Sequence, residues 1–335
     1  MAILITGASG QDGLILLSRL SKMLEPVVAA VGSVGNVSKV QLFAPSALVE
    51  VGKLEDTAFV RYLFAKYTFS RIFNFAALSS VGASWKSPAE SIFSNSVSVI
   101  NLLEALRESQ DNGQRTQLYQ ASSAEMYSKS EVRTINEKTP LAPDSPYSIS
   151  KAAAHFSAQT YREAYGLDVR TGILFNHESP LRNDAFVIRK ITSSVAKIAL
   201  GLQRNLELGN IDVERDWGYA PDYVSAIELI MGSQEPGDYV VGSGVLTSLS
   251  KVLETAFSVI GVHDWRSYVT SDDAGQRPLD HGPLIADSSK IRTELGWQPT
   301  KDFASVIAEM VEFDLRLASD PSAAKIHSAF LGNEG

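Results

Sequence analysis

Ala2-Ile-Leu-Ile-Thr6-Gly7-Ala-Ser-Gly10-Gln-Asp-Gly13 is the stretch that decides the fold. Its first five residues, without polar alternation, read as a strand buried on both faces. Glycines at 7, 10 and 13 follow at once, and an apolar helix pattern then runs to about residue 23. Gly7 permits a tight turn, Gly10 lets the backbone approach a pyrophosphate, and Gly13 allows close helix–strand contact, with the phosphates at the helix N-terminus. The spacing is G-x-x-G-x-x-G rather than G-x-G-x-x-G. The strand before it and the helix after it turn three glycines into a dinucleotide-binding signal.

Outward from that turn, Val27–Val31 reads as the second strand. An acidic residue at its end would favour NAD through the ribose 2′-hydroxyl, and an arginine would favour NADP. Gly32-Ser-Val-Gly-Asn36 and Lys39 offer neither, so the segment leaves both open. Ser33, Asn36 and Lys39 read either as phosphate contacts or as surface residues. Further strands are expected at 48–51, 71–75, 117–121 and 169–175, alternating with helices at 57–67, 88–109 and 146–165. That alternation predicts an α/β fold, a doubly wound, mostly parallel sheet with helices on both faces. In such sheets ligands bind beyond the strand C-termini, so Gly7, Ala76, Ser123 and Asn176 should converge on one crevice. Residues 128–145 read as a surface connection and Asn176-His-Glu-Ser-Pro180 as a polar turn. The pattern then loosens, with helices near 185–201 and 220–233. The expected division is a Rossmann-type dinucleotide-binding domain over 1–175, joined by a returning segment near 218–242. A smaller mixed α/β substrate lobe occupies most of 176–335. Arg189, Lys190, Arg215 and Arg277 could clamp a diphosphate if the fold brings them together.

The chemistry concentrates in two facing stretches, Gln120-Ala-Ser-Ser-Ala-Glu-Met-Tyr127 and Pro146-Tyr-Ser-Ile-Ser-Lys151. The first reads as a strand end offering a hydroxyl, Ser123, and a carboxylate, Glu125. The second opens a helix, with Ser145 as cap, Pro146 in the first turn and Gly166 as the stop. Tyr147 and Lys151, at i and i+4, project from one face. An ammonium beside a phenol favours phenolate, which can take a proton from an alcohol while a hydride leaves the same carbon.

Bulk composition narrows the rest. A chain of 335 residues, 44% hydrophobic and 20% charged, fits a globular protein with a large core. A formal net charge of −8 argues against a nucleic-acid partner, which wants a basic face. There is no cysteine, which excludes disulfides and thiolate metal sites and fits a cytoplasmic location. No apolar run reaches the ~20 residues of a spanning helix, and residues 1–6 lack the marks of a signal peptide, so no membrane role and no metal are expected.

Gly172-Ile-Leu-Phe-Asn-His-Glu-Ser-Pro180, Arg189-Lys-Ile191, Leu208-Gly-Asn-Ile-Asp212 and Arg215-Asp-Trp-Gly218 carry a resemblance. With the glycine turn and Tyr147-x-x-x-Lys151, they make the chain similar over nearly its whole length to the GDP-mannose 4,6-dehydratases. These belong to the extended short-chain dehydrogenase/reductase superfamily, within the NAD-dependent epimerases and dehydratases. The resemblance implies a hydro-lyase acting on a GDP-sugar by internal hydride transfer, with catalytic roles for Ser123, Glu125, Tyr147 and Lys151. It implies NADP contacts, with NAD the alternative, from Gly7, Gly10, Gln11, Asp12, Gly13, Leu54, Phe75, Ala76, Ala77, Ser79, Tyr147, Lys151, His177 and Arg182. Sugar-nucleotide contacts follow from Ser79, Asn176, Val187, Lys190, Leu208, Asn210, Arg215 and Arg277, and a homo-oligomer, a dimer or a tetramer, is implied.

The chain departs from that family at the adenosine end: the paired arginines after the second strand are missing, and Lys53 stands for an aspartate. Leu78, Ser80, Ser123, Ala124 and Asp280 also differ from the usual residues. The alternatives are a related 4-ketosugar reductase or epimerase, a dehydratase for a different nucleotide sugar, or a non-catalytic nucleotide sensor.

Overall fold

The computed structural model describes residues 1–271, 279 and 282–320. Seven parallel strands form the central sheet. From one edge to the other they are Asp238–Val241, Val169–Leu174, Gln117–Ser123, Phe69–Asn74, Ala2–Thr6, Val27–Val31 and Leu48–Val51. The chain winds outward one way from Ala2–Thr6 and then returns to wind the other way from Phe69–Asn74. The reversal therefore lies between these two strands, where doubly wound sheets open a crevice. Ala2–Thr6, Val27–Val31 and Val169–Leu174 are buried throughout, as continuous apolar strands covered on both faces must be.

A buried polar ladder pins three neighbouring strands near their C-terminal ends. Thr6 Oγ1 donates to Asn74 Oδ1 at 2.5 Å, and Asn74 Nδ2 donates to Gln120 Oε1 at 2.6 Å. Each group is satisfied, so the ladder fixes register without leaving an unpaired polar atom in the core.

Residues read from the sequence as one helix over 88–109 form three pieces. Pro88–Ile92 is α-helical, Phe93–Val97 is a π turn, and Ser98–Asp111 resumes the α-helix. Asn95 accounts for the break: its side chain accepts from Leu78 N at 2.7 Å and donates to Ser150 Oγ at 2.9 Å. One extra residue in the turn aims that amide inward and ties the loop after Phe69–Asn74 to the helix Pro146–Tyr165. That second helix starts and stops as expected: Ser145 and Ser148 form a capping box, Pro146 fills the first turn, and Gly166 ends it at φ +62°.

Asn176–Glu178, read as a turn, is instead a short strand that leaves the main sheet. It pairs in parallel with residues 217–219, and the strand Glu214–Tyr219 pairs antiparallel with Leu246–Ser248. The connection over 128–145 contains a strand, Thr134–Ile135, paired with Ile285–Ala286. A separate hydrophobic cluster gathers the helices Val187–Ala199, Leu249–Val259 and Phe303–Ser319 around Trp217 and Tyr219. The helix Ala220–Gly232 returns to the sheet, where Arg19 donates to Glu228 Oε2 at 2.8 Å and to Pro221 O at 3.0 Å.

Candidate active-site cleft

Ser123 ends the strand Gln117–Ser123, and a 3-10 turn, Ala124–Tyr127, follows at once. The Ser123 hydroxyl caps that turn by accepting from Glu125 N at 3.2 Å. This local geometry sets the hydroxyl and the Glu125 carboxylate on neighbouring positions of one wall. Tyr147 and Lys151, 7% and 6% exposed, line the same cleft, with the Tyr147 hydroxyl within hydrogen-bonding influence of Ser123. The cleft holds about 660 Å³. A smaller hollow of about 50 Å³ adjoins it, sharing Ser123, Glu125 and Arg215 and lined also by Trp85 and Leu284.

The electrostatics differ from the sequence-based expectation in one respect. Burial pushes the Tyr147 phenol up to about 12; the Ser123 hydroxyl lowers it, Glu125 raises it further and Arg182 lowers it. Lys151 is itself pushed down to about 8 by burial, and its Nζ donates to Ala121 O at 2.6 Å. The ammonium is thus engaged by the strand's backbone, so its presence on the same helix face does not make Tyr147 acidic. Desolvation outweighs it.

Beyond this wall, the glycine turn meets the start of the helix Gln11–Leu20. Gly7 has φ +62°, and a Cβ there would lie 2.7 Å from Ala76 N. On Gly13 a Cβ would lie 2.7 Å from Gly7 O and 2.8 Å from Ala8 Cα. Gly13 therefore serves close packing of the helix on the turn itself. Gln11 and Asp12 lock that first turn to the segment after the strand Val169–Leu174. Gln11 Nε2 donates to His177 O at 3.1 Å and Ser179 Oγ donates to Gln11 Oε1 at 2.8 Å. His177 Nε2 lies 3.1 Å from Asp12 Oδ1, while its Nδ1 lies 2.7 Å from Phe175 O and its ring stacks on Tyr223 at 4.5 Å. Burial opposes the charged imidazole, but Asp12 overrides it and holds the His177 pKa above its ordinary value.

Most of the expected positions gather here. Asp12, Phe75, Ala77 and Ser79 line the cleft on the turn side, and Asn176, His177 and Arg182 line its floor. Val187, Leu208, Asn210 and Arg215 come from the elements beyond residue 176. Ala76 abuts Gly7 behind them. Other positions lie elsewhere. Leu54 is core, with its carbonyl held by Asn101 at 2.8 Å. Lys190 is exposed and donates to Glu207 O at 2.7 Å. Arg189 is buried against Asp314 and does not join a diphosphate clamp. Arg277 and Asp280 lie outside the described residues. Among the described residues no group of three His, Cys, Asp or Glu could hold a metal ion, and no helix is long and apolar enough to cross a membrane.

Several lining residues were not picked out from the sequence, three of them polar or aromatic groups that bear on the chemistry. Glu178 is buried, and burial pushes its carboxyl above the usual range; Arg182 Nε lies 3.5 Å from its Oε2. Phe186 stacks under the Arg182 guanidinium, 3.6 Å from ring centroid to Cζ. Their spacing of four residues on either side of Arg182 was the available signal. Ser122 is the third.

The arrangement can bind an anion along a bare glycine turn, hold a hydroxyl-bearing substrate between Ser123 and Tyr147, and move protons through Tyr147 and Glu125. A family model described as GDP-mannose 4,6 dehydratase matches residues 4–310. GDP-mannose 4,6 dehydratase 1 of Arabidopsis thaliana is 37% identical over 326 residues, which are 94% of this chain and 90% of that protein. GDP-mannose 4,6-dehydratase of Sinorhizobium fredii is 34% identical, over 93% and 96%. The crystal structure of UDP-glucose 4-epimerase from Thermus thermophilus in complex with NAD superposes with a TM-score of 0.79 at 25% identity, covering 94% of this chain and 99% of that one.

Proposed function

The chain belongs to the GDP-mannose 4,6-dehydratase family, and from that premise we propose that it converts GDP-mannose to GDP-4-keto-6-deoxymannose with a resident NADP. It is a nucleotide-sugar 4,6-dehydratase, a hydro-lyase that uses a nicotinamide cofactor. The observation that carries the residue assignment is the convergence of Ser123, Glu125, Tyr147 and Lys151 on one cleft, which Asp12 of the glycine turn also lines.

The fit to a dinucleotide is supported by the turn over residues 7–13, where Gly7 and Gly13 let the helix Gln11–Leu20 begin tight against the turn with its N-terminus beside the cleft. Gly7, Gly10 and the N-terminus of the helix Gln11–Leu20 would hold the pyrophosphate beside Arg182, with Gly13 letting that helix pack close, while Lys151, Ser79 and Phe75 would flank the nicotinamide ribose. The chemistry supplied there is reversible acceptance of a hydride from the sugar. The C5 proton of a hexose is not acidic while C4 carries an alcohol, and it becomes so once C4 is a ketone. Tyr147 acts from its phenolate form, the minor one at neutral pH because burial raises its pKa: it takes the C4 hydroxyl proton as the hydride leaves C4, and Ser123 hydrogen-bonds the C4 oxygen. Glu125 then removes the proton from C5 and passes a proton to the departing 6-hydroxyl, which leaves as water. The hydride returns at C6, and Tyr147 or solvent supplies the proton to C5. Each acid–base step is worth about 10²–10⁴-fold.

Asn176, Asn210 and Arg215 would bind the GDP-sugar from the lobe that begins at residue 176, with the helix Ala220–Gly232 returning to the dinucleotide-binding part. Ile92, Phe93, Ile100, Ile149 and Phe156 stand exposed on adjoining helices, which supports a homodimer formed through that face. The test is mass spectrometry of GDP-mannose incubated with the protein and no added reductant. Loss of one water from the sugar is the expected result. Unchanged sugar, or turnover only when NADPH is supplied stoichiometrically, would overturn the reading in favour of a reductase.

A further inference from the structure

The helix Pro146–Tyr165 carries a polar stripe that continues past the two residues used in the mechanism. Lys151 is followed at i+4 by His155 and at i+8 by Gln159, and all three turn toward the sheet. His155 is 3% exposed. Its Nδ1 lies 2.9 Å from Ser122 Oγ, and its Nε2 lies 3.1 Å from Gln159 Nε2. Gln159 Nε2 is also 2.8 Å from Asp238 Oδ2. A carboxylate only accepts, so the nitrogen, not the oxygen, of the Gln159 amide faces Asp238. That carboxylate is held in turn by Arg162, at 2.9 and 3.0 Å, and by Thr171 Oγ1 at 2.8 Å. The same amide nitrogen then donates its second proton to His155 Nε2. His155 must therefore accept at Nε2 and carry its proton on Nδ1, which donates to Ser122. The Ser122 oxygen is occupied as an acceptor, and its own proton is left to point elsewhere. Ser122 lines the cleft, next to Ala121, whose carbonyl holds Lys151.

We propose that His155 is a positioning residue that fixes the tautomer of this chain and so orients the Ser122 hydroxyl as a hydrogen-bond donor into the cleft, toward an acceptor oxygen of the bound nicotinamide nucleotide. The inference rests on the functional reading above. It requires a neutral His155, because a second ring N–H would face the Gln159 N–H. The surroundings favour that state: burial lowers the His155 pKa below 6.5, Arg162 and Lys151 lower it further, and only Asp238 opposes them. Nucleotide affinity should hold at neutral pH and fall on acidification below that value.

The test is direct titration of the purified, nucleotide-stripped protein with NADPH and NADH, followed by the fluorescence of the reduced nicotinamide. Ser122→Ala and His155→Leu should each weaken binding about five- to tenfold. His155→Asn, whose amide nitrogen can stand where Nδ1 stands, should stay within about threefold of wild type and lose the acid-side fall in affinity. Wild-type affinity in Ser122→Ala overturns the proposal. So does a His155→Asn protein that is folded, binds as weakly as His155→Leu and keeps the wild-type pH profile. If wild type binds neither nucleotide, the functional reading fails and the inference with it; if wild type binds and the variants match it, only the inference fails.

Discussion

At the reaction end of the cleft Tyr147 and Lys151 are almost wholly buried on a capped helix, whereas Gly32, Ser33 and Val34, after the second strand, lie open to solvent. The first region is over-determined. A capping box starts its helix, Asn95 braces it from the π turn, and Ala121 O holds Lys151. The second, where the adenosine would sit, has an exposed 3-10 turn with no side-chain cap, and Lys53 points outward beside Glu55 at 4.0 Å. A buried, low-dielectric wall makes each polar group count for orders of magnitude, while exposed charges are worth little. The two ends should therefore respond to mutation on different scales.

Tyr147→Phe is the harshest test of the buried end. Removing the phenol should block even the first oxidation, at a cost of about 10⁴-fold. Stopped-flow absorbance should show no transient reduced nicotinamide on mixing with GDP-mannose, and a full-amplitude burst would remove Tyr147 from the mechanism. Glu125→Gln should cost less, about 10²–10³-fold, and should separate the steps. Reduced nicotinamide should form and persist while no water is lost. Dehydration at the wild-type rate would show that another group takes the C5 proton.

The contrast also governs what could be read before the structure. The glycine turn, the alternation of strands and helices and the Tyr147–Lys151 face were legible, because each depends on local periodicity or on caps next to it in sequence. Arg189 was not: its partner Asp314 is 125 residues away, so nothing near Arg189 marks it as core rather than diphosphate-binding. Asn176–Glu178 read as a polar turn because a three-residue strand paired with residues 217–219 has no periodicity of its own. The π turn at Phe93–Val97 is set by the contacts of Asn95 with Leu78 and Ser150, and apolar spacing carries no trace of them. The influence of Lys151 on Tyr147 was misjudged because spacing gives proximity, whereas ionisation is decided by burial.

Lys151 yields a stability prediction with a definite sign. Its folded pKa is depressed from 10.5 to about 8, so between those values the unfolded chain binds the proton more readily and stability rises with pH. Below about pH 8 the buried charge carries its full cost. Lys151→Met should therefore raise Tm at pH 7 by about 2–4 °C while activity falls. Calorimetry at about pH 7 and about pH 10 should show the gap narrowing at the higher pH. An equal gap at both would mean that the ammonium is not the source of the strain.

The smallest effect belongs to the exposed end. Lys39, on the helix Val37–Phe43 after the second strand, is exposed and is the nearest cation in sequence to the open turn. If it meets the 2′-phosphate of NADP, the pair is solvated and should contribute only about 0.2–1 kcal/mol. Lys39→Ala should weaken NADPH binding by about two- to fivefold and leave NADH unchanged, as titration at low and high salt would show. The loss should shrink as ionic strength rises, because a solvent-exposed pair is screened. A loss of a hundredfold would mean that this end closes around the cofactor as tightly as the other, and the contrast drawn above would hold only for the cofactor-free protein. No loss at all would leave Ser33 and Asn36 to bear the discrimination through neutral hydrogen bonds, and the affinities for the two nucleotides should then differ by less than about tenfold.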